Sequence, residues 1–264
     1  MITRTMTVRR CLSSVALAAL VALLLCPAAA AAEGPAPGVP EGAVKLKKTG
    51  ATITKPKGPD VDQEKRYFAV LTTNRGPITI EFDVKAAPYT VTSFVTLARN
   101  GLYDGSRFHR VIKDFMAQGG ILPGISNGPY RYANEISATA LGLDKIKVKD
   151  APFILPPPNA EQMKTFGERT VEAFYSSLGY TFDNALPSIP VERGVIAMAN
   201  AGPKTNTSQF FLVTGDQVFK GLNGKHTAFG RVVHGMDVVD KLKIVSPRQR
   251  NQGDVMEKVE IFVK

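Results

Sequence analysis

The spacing of short apolar runs along this 264-residue chain predicts a mainly β protein, an antiparallel barrel or sandwich. Three observations carry that expectation. Strand-like runs recur from 67 to 263, and glycines separate many of them. Ile78, Ile80 and Phe82 alternate with Thr79 and Glu81, the period-two pattern of a half-buried strand. Only two helix patterns lie among these runs, apart from one irregular stretch.

The elements follow in order. Residues 67–72 read as a strand and Asn74-Arg75-Gly76 as a short turn, so 67–82 is a hairpin. Pro88 suits the first turn of a helix because its φ is already fixed. Val91, Phe94, Val95 and Ala98 give that helix one apolar face, and Asn100-Gly101 ends it. Strand-like runs then occupy 108–112, 115–118, 195–199, 210–214, 228–233 and 259–263. Residues 236–243, with Val238, Val239 and Leu242, predict a second, short helix.

One stretch, about 137–190, breaks this rhythm and reads as an insertion folded onto the domain. It contains Leu155 and the prolines 156–158, best explained as a stiff connector. A helical pattern follows, with Asn159 and Gln162 spaced as a capping box. Met163, Phe166, Val171, Phe174 and Leu178 form its apolar stripe, and Gly179 stops it.

The folded domain is expected over 66–264. Residues 33–65 are rich in Pro, Gly and Lys and read as a flexible linker. Residues 1–32 read as a cleaved export signal: Arg4, Arg9 and Arg10, then an apolar run, then Pro27 and alanines. The run is short for an uncleaved membrane anchor, and Leu25 before Cys26 disfavours a lipoprotein. Arg9-Arg10 leaves twin-arginine export open beside the general secretory route. A periplasmic or secreted location follows from this reading.

Both cysteines, Cys11 and Cys26, lie in that first segment, so the mature chain has no thiol for catalysis, metal binding or a disulfide. The whole chain carries net charge +10, with Lys45, Lys47, Lys48, Lys55 and Lys57 concentrated in the linker. These lysines either attract anionic surfaces such as lipid head groups or simply solvate a tether. Nucleic acid is a poor partner for an exported protein, and a domain of this size is expected to be a monomer.

Residues 108–120 read Phe-His-Arg-Val-Ile-Lys-Asp-Phe-Met-Ala-Gln-Gly-Gly, and 198–203 read Met-Ala-Asn-Ala-Gly-Pro, followed by Ser-Gln-Phe-Phe at 208–211. They supply an arginine, amides and large apolar groups, without a nucleophile elbow. His109, His226 and His234 lack zinc-site spacing, Ser208 has no evident base, and no cofactor is implied. Such an inventory suits rotation about a peptide bond, whose barrier is about 18–20 kcal/mol. Arg110 is the candidate donor to a prolyl nitrogen whose lone pair is freed as the amide twists, and Gln118 its brace. Phe115, Met116 and Phe211, with Leu222 at the rim, are candidate apolar walls. Asn200 and Gln209 are candidate anchors for a substrate backbone.

These motifs, together with Leu-Asn-Gly-Lys-His-Thr-Ala-Phe-Gly at 222–230, resemble the cyclophilin family of peptidyl-prolyl cis-trans isomerases, from about 67 to the C terminus with the insertion between. Combined with the export signal, the chain is similar to exported bacterial members. The resemblance implies a closed eight-stranded antiparallel β-barrel capped by two helices. It also implies isomerisation of X-Pro bonds in proline-containing polypeptides, without a covalent intermediate. It places Arg110 as catalytic, with Gln118. It assigns Phe115, Met116, Ala199, Asn200, Ala201, Gln209, Phe211, Leu222 and His226 to the substrate groove. Two departures stand out. Gly221 occupies a place where many members have tryptophan, and this chain has none, which argues against tight cyclosporin binding; Phe219 could fill part of the gap. The insertion after Glu135 is the other, and it could border the groove.

Overall fold

Hydrogen-bonded pairing begins with the expected hairpin, but the surrounding sheet is larger than eight runs suggest. The computed structural model describes residues 36–125, 128–154, 156–216 and 220–264. The proposed export signal, Leu155 and Phe219 lie outside the described residues.

Ten strands form one antiparallel sheet: β1 (Val44–Lys45), β2 (Tyr67–Thr73), β3 (Gly76–Phe82), β4 (Ser106–Arg107), β5 (Arg110–Ile112), β6 (Met116–Gly119), β7 (Val195–Met198), β8 (Phe210–Val213), β9 (Ala228–His234) and β10 (Val255–Val263). The pairing order is β1-β10-β2-β3-β9-β7-β8-β6-β5, and β4 pairs with β10. The sheet curls into a half-barrel, with the 106–112 segment bonded to β10 at its start and to β6 at its end. The run expected at 108–112 therefore begins only at Arg110, with β4 ahead of it, because Phe108 and His109 leave the ladder. The Phe108 amide bonds instead to the Asp254 carbonyl at 3.0 Å.

Helix α1 (Pro88–Arg99) packs its Val91, Phe94 and Ala98 face into the sheet, as the periodicity predicts. Phe94 is the hub, with ring centroids 4.7 Å from Tyr103, 5.2 Å from Phe82 and 5.6 Å from Phe210. Ala87 at its N-cap offers no side-chain acceptor. Glu135 supplies one from a distant loop, accepting from the Tyr89 amide at 2.7 Å and from the Thr90 amide and hydroxyl at 2.6 Å each. A carboxylate is favoured there because helix N-termini carry partial positive charge.

The 36–65 stretch differs from the flexible linker expected. Ala36, Val39 and Ala43 pack on Phe68 and Val70, and β1 pairs with β10. The Leu46 amide bonds to Ile261, the Thr49 amide to Arg99, and Thr92 Oγ1 accepts from Asp60. Its few apolar residues cannot make a core alone, but they cover one that already exists. Thr79, expected on a solvated face, is accordingly fully buried and donates its hydroxyl to the Pro37 carbonyl.

The insertion carries two helices where one was expected: α2 (Ala160–Phe166) and α3 (Val171–Ser177). The capping box at Asn159 and Gln162 is present in both directions. Gly167 then interrupts the pattern, consistent with its low helix propensity, and Thr170 caps α3 by accepting from the Ala173 amide. The carbonyls freed at the break bond to the Val148 and Lys149 amides. Met163 and Leu178 fall outside the core as a result, at 37% and 44% exposure. Leu143, Val148, Ile154, Val171, Phe174 and Tyr175 form a small core of the insertion's own. The second helix of the main domain, α4 (Met236–Asp240), is shorter than the pattern at 236–243 suggests.

Candidate active site

Strands β5 and β6 are joined by the three residues 113–115, so Arg110 pairs directly with Gln118, Val111 with Ala117 and Ile112 with Met116. Alternation then sorts the side chains. Val111 and Ala117 point into the core, whereas Arg110 and Gln118 share the opposite face. Gln118 in turn pairs with Phe211 on β8, so Arg110, Gln118 and Phe211 form one row across three neighbouring strands. Gly120 permits the close approach of the 208–210 segment that leads into β8. Its φ is +85°, and a Cβ there would lie 2.5 Å from the Ser208 carbonyl oxygen.

Arg110 donates from Nη1 to Gln118 Oε1 at 3.2 Å, and Gln118 Nε2 donates to Gln209 Oε1 at 3.1 Å. Because a guanidinium can only donate, it fixes the orientation of both amides. No carboxylate among the described residues pairs with Arg110. Arg110 also lines a hollow of about 120 Å³. That hollow is lined by Phe115, Met116, Phe211 and Leu222, with Ala199, Asn200, Gln118 and His226. It is far below the roughly 300–1,000 Å³ of sites for drug-sized ligands and suits a small ring.

His226 donates from Nδ1 to the Met198 carbonyl at 2.9 Å, and its ring stands edge-on to Phe211 at 5.5 Å. Burial, with some help from the Lys225 charge, pushes it down to about 4. At neutral pH it is an uncharged wall with its proton on Nδ1 and a lone pair on Nε2.

Nine of the sequence candidates thus meet in one hollow. The other two, Ala201 and Gln209, line an adjoining polar hollow of about 310 Å³ that shares Gln118, Ala199 and Asn200 with the first. Asn200 is engaged differently from the expected anchor. Its Nδ2 donates to Asn206 Oδ1 and to the Lys225 carbonyl, and its Oδ1 accepts from the Gly202 amide. The side chain therefore pins loops together. Arg131, Thr205 and Thr207 also line the polar hollow without having been singled out in the sequence: Arg131 lies outside the long motifs, and the two threonines stand inside the 198–211 stretch with nothing in their own chemistry to mark them.

Other candidates fall away from this site. Ser208 donates its hydroxyl to the Gly120 carbonyl, a structural role. His109 lines a different hollow of about 420 Å³, where burial lowers its pKa. A further hollow of about 350 Å³ lies beside Glu81 and Arg231. Both are larger than the one at Arg110, but neither is lined by any of the residues expected in the groove. Among the described residues no group of three or more His, Cys, Asp or Glu could hold a metal.

Residues 67–262 match the family model for cyclophilin type peptidyl-prolyl cis-trans isomerases. The chain belongs to this family. A peptidyl-prolyl cis-trans isomerase-like 2 of Cryptococcus neoformans var. neoformans serotype D is 34% identical over 196 residues, covering 74% of this chain and 27% of that protein. The chain therefore spans about a quarter of that relative's length. Peptidyl-prolyl cis-trans isomerase CYP18-2 of Arabidopsis thaliana is 33% identical over 172 residues, 65% of this chain and 77% of that one. Cyclophilin AquaCyp293 from Hirschia baltica, a solved structure, has 24% identity and a TM-score of 0.48 over 74% of this chain and 76% of its own. Within this cyclophilin, Gly221 lies in the short 3₁₀ turn Lys220–Leu222, beside the hollow's rim.

Proposed function

We propose that the chain accelerates rotation of X-Pro peptide bonds in exported polypeptides, with Arg110 as the donor and Gln118 as its brace. The unpaired Arg110 guanidinium at the mouth of a small apolar hollow carries this reading. A twisted prolyl amide loses resonance, and its nitrogen becomes able to accept a hydrogen bond. A donor held there stabilises the twisted state over either planar isomer, which is catalysis by differential binding. The hollow holds the ring through both isomers, and the main chain of Asn200 with Gln209 Nε2 supplies polar contacts for the flanking peptide. No covalent step and no cofactor enters.

The export assignment rests on the composition of residues 1–32 alone. Attachment to anionic membranes is the weaker part of the reading. Lys45 pairs with Glu260 and Lys48 with Asp104, leaving Lys47, Lys55 and Lys57 as the uncommitted charge of that run among the described residues. A pure binding module, holding proline segments without turning them, would need the apolar walls but not the braced donor.

The test is isomerisation of a short X-Pro peptide, whose uncatalysed exchange takes tens to hundreds of seconds. The wild type should accelerate it. Arg110→Ala should lower kcat/KM by about 10²–10³-fold, the scale for removing one preorganised donor, while peptide affinity is retained. Equal rates would remove Arg110 from the mechanism, and a wild type without acceleration would remove the activity.

A further inference from the structure

We propose that the insertion is a positioning element for the proline hollow, bracing from outside the loop that presents Leu222 and His226; the role of that hollow rests on the function proposed above. Leu222 and His226 are the two ends of a five-residue segment, and both line the hollow. Nothing in the strand ladders holds its middle, Asn223 to Lys225. Three contacts from the insertion and its exit do. Asn223 Oδ1 accepts from the Val191 amide at 2.9 Å in a buried setting. Gly224, at φ +83°, lies so close to the insertion's core that an added Cβ would meet Leu143 Cδ1 at 2.6 Å and Tyr175 Cδ2 at 2.9 Å. Lys225 Nζ stands 5.2 Å from the centroid of the Tyr175 ring, within cation–π range.

On the other side the Lys225 carbonyl accepts from Asn134 Nδ2 at 2.6 Å and Asn200 Nδ2 at 2.8 Å. The loop is therefore clamped between the polar framework of the site and the insertion. The insertion is able to act as a brace because it is itself rigid: it has its own core, and its two ends are stitched together. Asn184 Oδ1 accepts from the Ala138 amide, Ser188 Oγ from the Ser137 amide, and the Ile136 carbonyl from the Asp183 amide.

Tyr175 is the residue that distinguishes bracing from decoration. It belongs to the insertion's core, and its ring touches the loop, while its buried hydroxyl makes no hydrogen bond. The measurement is the dissociation constant of a blocked Ala-Ala-Pro-Ala tetrapeptide for the full chain, by calorimetry, alongside thermal melting. Tyr175→Ala should weaken binding about tenfold, a change of about 1.4 kcal/mol, because the loop loses the ring that sets its position. Tyr175→Phe should bind as wild type, because the ring is retained. Phe166→Ala loosens the same small core without touching Gly224 or Lys225, and should lower the melting point while leaving affinity unchanged. Should Tyr175→Ala not fold, Tyr175→Leu replaces it with the same expectation. Unchanged affinity in the Tyr175 variant, or equal weakening in Phe166→Ala, overturns the proposal. Since affinity is read without turnover, a wild type that binds but does not isomerise would sink the proposed function and leave this inference to its own result.

Discussion

One wall of the hollow is a row of side chains on three neighbouring strands, Arg110, Gln118 and Phe211; another is the loop from Leu222 to His226. In the row, position is set by main-chain ladders, so each side chain is placed by register. In the loop, position depends on individual side-chain contacts from Asn134, Asn200 and Tyr175. The difference separates two tasks. Donation to a developing lone pair tolerates little displacement and sits on the ladder. Enclosing a ring in either isomer needs shape more than direction and can be left to a loop. Substitutions at Arg110 and Gln118 should then change rate with little effect on folding, while substitutions around the loop should change affinity and stability together.

Beyond the loss expected for Arg110→Ala, the largest effect that sharpens this contrast is Gln118→Ala. It removes the acceptor of Arg110 Nη1 and the donor to Gln209, but no main-chain bond. We expect kcat to fall about tenfold, equivalent to about 1.4 kcal/mol at the transition state, with KM and melting temperature nearly constant. A raised KM with unchanged kcat would move Gln118 to the enclosing wall and break the distinction.

Asn200→Ala should show the opposite signature. It strips one of two donors from the Lys225 carbonyl and leaves Asn206 Oδ1 and the Gly202 amide without that partner. Loss of such buried bonds costs on the order of 1–3 kcal/mol, which corresponds to a melting point lower by several degrees, at about 2–4 °C per kcal/mol for a chain of this size. Peptide KM should rise about threefold, with kcat close to wild type. Melting curves and steady-state kinetics on one preparation check both. A kcat collapse at constant KM would show that the loop wall also orients the chemistry.

The same contrast explains what could be read from the sequence. Strand periodicity and long motifs concern neighbours along the chain and across ladders, so β3, α1 and the residues of the small hollow were legible. Contacts made by isolated side chains over long separations were not. Glu135 caps α1 from 45 residues away, and nothing in its own neighbourhood marks it. The 36–65 stretch reads as linker because its composition cannot form a core, although Val39 and β1 dock onto one already present. The break between α2 and α3 depends on the Gly167 and Arg169 carbonyls finding the Lys149 and Val148 amides, which an apolar stripe running through both helices conceals. Asn200 lines the hollow, and only the fold shows that its side-chain amide is already committed to other loops.

The smallest effect expected on turnover concerns His226. Its imidazole is held down to about 4, mainly by burial, against an ordinary value near 6.5. An unfolded chain therefore takes up this proton near pH 6.5, and the folded chain only near pH 4. Between those values the unfolded state binds more protons, so stability is lost as pH falls through the window, at no more than about 1.4 kcal/mol per pH unit. Below about pH 4 both states are protonated and this contribution stops changing. At pH 5 the folded ring is still mostly neutral, and so is the wall it forms beside Phe211. Activity should accordingly stay flat from pH 8 to about pH 5, while the melting temperature already declines below pH 6.5. Replacing His226 with Gln should abolish that part of the decline and leave the rate profile flat. A rate that falls with a midpoint near 6.5 would mean the loop opens His226 to solvent during turnover, and that the enclosing wall is mobile rather than clamped.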